Sequence, residues 1–384
     1  VQSLYGTRMG MSASRMDRVR QCHFGYFMQY GLRAKERRPA GFEAPEIGTF
    51  LHYLLENVNR DVKALGGYGQ VSDDELRRMT KDYVSRYAAE RIDDFAHKSA
   101  RFRYLFTRLR ETAYTIILNI AREMRQSDFQ PVSFELSFGG RQGDLPAITI
   151  QEDGARLSVS GKVDRVDGWL HEGKLYLRVV DYKTGKKSFD LTDIRYGLGI
   201  QMLLYLFTLE REGQSFFGHP IVPCGVLYQP ARDVILRQDR SISDEKLKAA
   251  LQSELRRTGL VLNDPQVLQA MEHSALESPC YLPIGVKKDG SLSGSVATAA
   301  QLGHLGRYVD KLLHQITGEI AHGNIDADPY ARGPQDSACT YCPFAAACCF
   351  DEARDKRRPL RKTDSEEFWA LMEKTGEEDR HGEN

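Results

Sequence analysis

Apolar and polar positions alternate most regularly in the middle of the chain. Leu157, Val159 and Val163 mark one arm, and Leu175, Tyr176, Leu177, Val179 and Val180 a second, β-rich arm. Polar His171, Glu172, Gly173 and Lys174 lie between them. Period-two spacing on both sides of a short Gly-containing break predicts a β-hairpin over 161–185 with Glu172-Gly173 as a two-residue turn. Counting outward from that turn sets His171 opposite Lys174 and, further along, Asp164 opposite Asp181, on one face.

Elsewhere the spacing is mostly helical. Residues 14–32 predict a helix capped at Ser12 or Ser14, with an aromatic face from Phe24, Tyr26, Phe27 and Tyr30. A loop from Pro39 to Pro45 follows. Residues 47–58 then predict a helix with Phe50, Leu51, Leu54 and Leu55 apolar and with His52 and Glu56 one turn apart. Residues 73–127 read as helical with breaks, and 130–138 and 146–151 as strands leading into the hairpin. An amphipathic crossover helix over 193–211 carries Gln201 and Tyr205. Beyond it come one or two strands within 223–236, a helix over 244–257 closed by Gly259, a flexible loop over 287–295, and a long helix from Thr298 to near Gly323. Strands joined by a returning helix predict an α/β sheet with helices on both faces and helical additions at each end.

Two opposed carboxylates roughly 5 Å apart repel unless one is protonated or a cation lies between them. Lys183 lies two residues past Asp181, so strand alternation turns its ammonium to the same face. Asp, Asp and Lys around one small volume suit metal-assisted phosphodiester hydrolysis, in which magnesium takes oxygen ligands and a lysine orients water and balances charge. The plain alternative is an exposed hairpin with ordinary surface charges, and the pairs His52/Glu56 and Gln201/Tyr205 have the same alternative, a packing face.

Lys plus Arg and Asp plus Glu number 53 each in 384 residues, so no overall field gathers a polyanion. Nucleic-acid contacts would use local patches: Lys35, Arg37 and Arg38; Arg101, Arg103, Arg108 and Arg110; Lys183, Lys186 and Lys187; and Arg354 through Lys362. No apolar run reaches membrane-spanning length. The chain begins at Val1 without a signal-peptide pattern, which suggests a piece of a longer protein. Neither GxGxxG nor GxxxxGK[ST] occurs, so no nucleotide-binding loop is expected. Seven cysteines, an odd number with a tight C-terminal group, argue for a reduced, cytoplasmic protein with a metal site and against a disulfide framework. Cys339, Cys342 and Cys348 have C-x2-C-x5-C spacing, with Cys349 adjacent. A fourth ligand, best supplied by Cys22, completes either a zinc site or an iron-sulfur cluster, and zinc with His23 is a further possibility.

These motifs in their order resemble a known family. Cys22, GTFLHYLLE (48–56), GKVDRVD (161–167), DYKTG (181–185), QMLLY (201–205) and CTYCPFAAAC (339–348) are similar to the RecB-type nucleases of the PD-(D/E)XK superfamily that carry an iron-sulfur staple. The resemblance implies a restriction-endonuclease-like core, a central mixed sheet flanked by helices, whose N- and C-terminal elaborations are joined by a [4Fe-4S] cluster. The expected division is 1–128 helical with the first cluster cysteine and the metal-binding histidine, 129–240 nuclease core, 241–330 helical elaboration, and 331–384 iron-sulfur segment and tail. Implied ligands of the catalytic Mg2+ are His52, Asp164, Asp181 and the backbone carbonyl of Tyr182. Lys183 is the implied catalytic lysine, with Gln201 and Tyr205 positioning it or the DNA. Cys22, Cys339, Cys342 and Cys348 are the implied cluster ligands, Cys349 being the neighbour that could shift the register. The implied activity is exonucleolytic cleavage of single-stranded DNA, the 5'-terminated strand in an intact complex that processes double-strand breaks with a motor helicase-nuclease subunit as partner. A stand-alone CRISPR-associated-type exonuclease and a catalytically silent DNA-binding scaffold are the competing readings.

Overall fold

The computed structural model describes residues 2–6, 8–35, 44–92, 99–140, 143–234, 236 and 242–382. The loop expected from Pro39 to Pro45 and the basic residues Arg37 and Arg38 fall mostly or wholly outside this set.

After a single helical turn, Gln2–Tyr5, come strand β1 (Arg8–Ser12) and helix α1 (Ala13–Gln21). A helical unit follows, made of α2 (Ala44–Ala64), α3 (Asp73–Arg91) and α4 (Ala100–Met124). Ser72 starts α3 with a reciprocal capping box to Glu75. Strands β2 (Gln130–Phe138), β3 (Ile148–Glu152), β4 (Ala155–His171) and β5 (Lys174–Lys183) come next. Helix α5 (Gln201–Phe217) crosses to β6 (Ile221–Pro230), which lies parallel to β5. Strands β7 (Thr258–Leu262) and β8 (Val296–Ala297) complete an eight-stranded mixed sheet in the order β1-β4-β5-β6-β7-β8, with β2 and β3 also pairing to β4. The long helices α6 (Ala299–Ala321) and α7 (Ser365–Gly382) follow; α6 starts at the expected Thr298 cap.

Apolar side chains of the sheet pack against α5, α6 and α7 in one core. A second core joins α2, α3 and α4, and reaches the sheet through Tyr182 and Ala231. The helical unit is therefore seated on the end of β5.

The hairpin forms as its sequence implies. Glu172 (φ 49) and Gly173 (φ 75) make the turn, and β4 and β5 pair from His171–Lys174 to Arg165–Val180. Four readings are corrected. The first helix is broken at Cys22, whose extended backbone (φ −173, ψ 125) separates α1 from a short helix His23–Tyr26 and a π-turn Phe27–Gly31. The crossover helix is also interrupted, because Gly197 (φ 78) and Gly199 (φ 65) take left-handed turns between Leu191–Arg195 and α5. Gly259 closes no helix; the helix ends at Glu254, and Gly259 lies in β7, where a Cβ would meet the Val226 carbonyl oxygen. Residues 287–295 close and extend a small hairpin, Ile284–Val286 with Leu292–Gly294. In addition, β1 pairs in parallel with β4, an element too short for its pattern to declare.

Candidate active site

Alternation along the hairpin divides its charges between two faces. On one, Arg165, Asp167, Arg178 and Tyr182 meet beneath the helical unit. Arg165 Nη2 donates to Asp167 Oδ2 at 3.1 Å, and Arg178 Nε donates to the same oxygen at 3.0 Å. Arg178 Nη2 reaches Glu123 of α4 at 3.0 Å, and Arg257 Nη2 reaches the same carboxylate at 2.5 Å. All of these side chains are buried. Arg165 also donates to the Tyr182 hydroxyl at 3.1 Å. This lattice of charge-assisted bonds fixes the end of β5 from below.

The other face carries Asp164, Asp181 and Lys183. The β4–β5 ladder ends at Arg165–Val180, one pair short of the two acids, and Asp164 Oδ2 accepts instead from the Tyr182 backbone N–H at 2.8 Å. Asp181 is buried, and its pKa is pushed up to about 6, first by burial and next by the charge of Asp164. Lys183 Nζ opposes this from 2.5 Å. Helix α2 delivers His52, whose Nδ1 lies 3.5 Å from Asp164 Oδ1 and 4.0 Å from Glu135 Oε1. The bond to Asp164 raises the His52 pKa more than burial lowers it. The Tyr182 ring meets the His52 ring edge-on at 6.0 Å, so the tyrosine side chain supports the imidazole while its backbone holds Asp164.

Glu135 was not among the residues that the sequence singled out. It stands on β2 at the level of Asp164, between the pairs Phe134–Arg165 and Leu136–Val163, with a left-handed backbone (φ 52). A non-glycine residue there costs roughly 1–3 kcal/mol, and the twist turns its carboxylate toward His52 and Asp164. Ligand atoms of His52, Glu135 and Asp164 all lie within 4.8 Å of one another. Burial raises the Glu135 pKa, and Lys162, 2.5 Å away, pulls against it. A Glu inside a β-rich stretch between Phe134 and Leu136 was the available signal.

Gln201 and Tyr205 come together on α5, where the amide donates to the phenol oxygen at 2.8 Å. Tyr205 packs on Phe138 and lies against Gly161, where a Cβ would meet the Tyr205 ring at 2.7 Å. Burial raises its pKa, and the charges of Asp181 and Asp164 add to the rise.

Cys22, Cys339, Cys342 and Cys348 line one cavity of about 290 Å³, which Cys349 also borders. The Cys348 thiol is pushed up by burial and by the charges of Cys22, Cys339 and Cys342. Cys349, by contrast, is exposed in a left-handed helix end. Hydrogen bonds tie the same segments together: Phe24 N–H donates to the Asp326 carbonyl, His23 Nδ1 lies 2.7 Å from Asp328 Oδ2, and Arg358 donates to the Arg20 carbonyl.

No helix among the described residues is long and apolar enough to cross a membrane. Comparison with known proteins bears on the whole constellation. The chain is 34% identical over 98% of its length to a protein of Acetivibrio thermocellus, 33% over 97% to one of Clostridium kluyveri, and 32% over 99% to one of Caldanaerobacter subterraneus subsp. tengcongensis. Each is named as the B subunit of an ATP-dependent helicase/deoxyribonuclease, the AddB protein, and the chain spans about a third of the length of each. The motif set is thus similar to AddB in particular within the RecB-type group. Residues 10–349 match the PD-(D/E)XK nuclease superfamily, and the chain belongs to that superfamily.

Proposed function

We propose that the chain is a magnesium-dependent deoxyribonuclease module that cleaves single-stranded DNA as part of an ATP-dependent helicase-nuclease. The observation that carries this reading is the meeting of ligand atoms of His52, Glu135 and Asp164 within 4.8 Å of one another, with Asp181, paired to Lys183, on the adjacent strand close enough to feel the charges of Asp164 and His52. The donor chemistry fits a hard divalent cation: three carboxylates against the two ammonium groups of Lys162 and Lys183 leave an anionic surplus, half-buried and rich in oxygen. His52, Glu135, Asp164 and Asp181 would hold the ion, with the Tyr182 carbonyl as the further ligand that the family resemblance implies. When bound, the ion supplies neutralisation of the phosphoryl charge and a more acidic water. Lys183, on the same face, orients that water and balances charge on the phosphate oxygens. Tyr205, fixed by Gln201, stands behind the acids and positions the strand.

The four cysteines are assigned as ligands of a structural [4Fe-4S] cluster that staples α1 to the C-terminal segment. Four thiols around one cavity accept either zinc or a cluster; the family resemblance favours the cluster, and Cys348 is favoured over the exposed Cys349. The naming of the relatives as one component of a helicase/deoxyribonuclease supports an AddA-type helicase-nuclease subunit as partner. The test is degradation of a single-stranded oligonucleotide by the purified chain in magnesium. Cleavage that disappears with chelator and with Asp181→Ala supports the assignment; cleavage that persists in Asp181→Ala refutes it.

A further inference from the structure

We infer that the strand end beyond Lys183 is a track for single-stranded nucleic acid, in which unpaired bases enter an apolar cavity on one side of Arg232 and backbone phosphates follow a basic groove on the other. This deepens the nuclease reading and rests on it.

The apolar side is a cavity of about 430 Å³ between α2, α4 and the residues after β5 and β6. Ile47, Leu51, Phe102, Leu105 and Leu109 form its helical wall. Leu105 is 51% exposed, beside Tyr104 at 63%. Apolar and aromatic side chains turned outward on a soluble helix mark a binding surface, and here they alternate with Arg101, Arg103, Arg108 and Arg110. Arg110 pairs with Glu111, and Arg108 with Asp233.

The basic side is a groove of about 330 Å³ walled by Lys183, Lys186, Lys187, Arg232 and Arg256. Its one acid, Glu254, pairs with Arg232 at 2.7 Å and with Lys186 at 3.4 Å. Lys183 is paired with Asp181, and Arg256 donates to the Leu282 and Ile284 carbonyls; Lys186, Lys187 and Arg232 against Glu254 still leave a positive surplus that suits a phosphodiester chain.

Both spaces open from the same point. Arg232 lines each of them, and Ala231 N–H donates to the Lys183 carbonyl at 2.8 Å. A strand whose scissile phosphate faces Lys183 therefore has an apolar pocket within reach of its bases and cations within reach of its next phosphates. Charge complementarity and continuity with the acidic site select the occupant. Duplex bases are stacked and paired and cannot enter such a cavity; unpaired ones can, whatever their identity.

The test is fluorescence anisotropy of a labelled oligo-dT and of an abasic phosphodiester strand of equal length, both in chelator so that nothing is cut. The wild-type chain should bind oligo-dT more tightly. Phe102→Gln and Leu105→Gln should each weaken oligo-dT binding roughly tenfold and leave the abasic strand unchanged. Arg232→Gln should weaken both strands alike and lower the salt slope by about one. Unchanged oligo-dT binding in both glutamine variants overturns the base cavity and leaves it as a protein-docking surface; equal loss on both strands overturns it as well. Unchanged binding in Arg232→Gln overturns the backbone groove. Failure of the nuclease reading looks different: the wild-type chain would cut nothing in magnesium while these binding contrasts remained.

Discussion

Lys183 Nζ lies 2.5 Å from Asp181 Oδ2, two residues along the same face of β5. The amine is one-third exposed and Asp181 is held in place by the sheet, so the contact serves the site more than the core. Lys183→Ala should leave the thermal melt within about 1 kcal/mol of the parent, as for a partly exposed ion pair, and abolish cleavage. A collapsed melt would assign the lysine to folding.

Glu135 is predicted to contribute to cation affinity. Glu135→Gln keeps the shape and removes one anionic donor, so divalent binding followed by calorimetry should weaken about tenfold or more. The unfolding midpoint without cation should hold or rise slightly, because burial opposes the charge of Glu135.

The charge lattice on the opposite face predicts the contrary pattern. Asp167→Asn leaves Arg165 and Arg178 buried with less counter-charge, which costs about 3–5 kcal/mol. The melt should fall sharply, and any loss of cleavage should track the unfolded fraction.

Asp17 supplies a pH dependence away from the carboxylate row. Its Oδ1 accepts from Gly199 N–H at 3.0 Å, and burial pushes its pKa up to about 6 from the ordinary 3.8. The folded state therefore takes up a proton that the unfolded chain gives up, and this stabilisation is present below about pH 4 and lost as the pH rises through about 6. Asp17→Asn, which can still accept the Gly199 bond, should stabilise the fold at pH 7 by on the order of 1–3 kcal/mol and flatten the melt between those pH values. An unchanged pH profile would exclude Asp17 as its source.

The cysteine set predicts a coupled loss. Cys342→Ala should remove the brown colour and lower solubility and stability together, because cluster binding is part of folding free energy. Cys349→Ala should keep all three.

The hairpin was readable because its register follows from a two-residue turn with positive φ at Glu172 and Gly173. Asp164, Asp181 and Lys183 then fall on one face by counting alone. From spacing alone His52 was readable only as one half of a helix pair, because nothing local says that α2 lies against β2; the family resemblance named it as a ligand. Glu135 escaped because its contribution depends on a left-handed backbone inside a strand, which residue spacing does not encode. The helix breaks divide in the same way. Gly197 and Gly199 announce the one before α5, whereas the break at Cys22 is imposed by contacts with Asp326 and Asp328, some 300 residues away. The buried lattice of Arg165, Arg178 and Arg257 was also hidden, since isolated arginines in sequence read as surface.

The proposed chemistry requires that carboxylates from adjacent strands share one divalent ion. Anomalous diffraction from a crystal soaked in manganese locates that ion without reference to activity. A peak bound by His52, Glu135, Asp164 and Asp181, with Lys183 beside it, is the expected result; a peak elsewhere, or none at these side chains at saturating manganese, would contradict it.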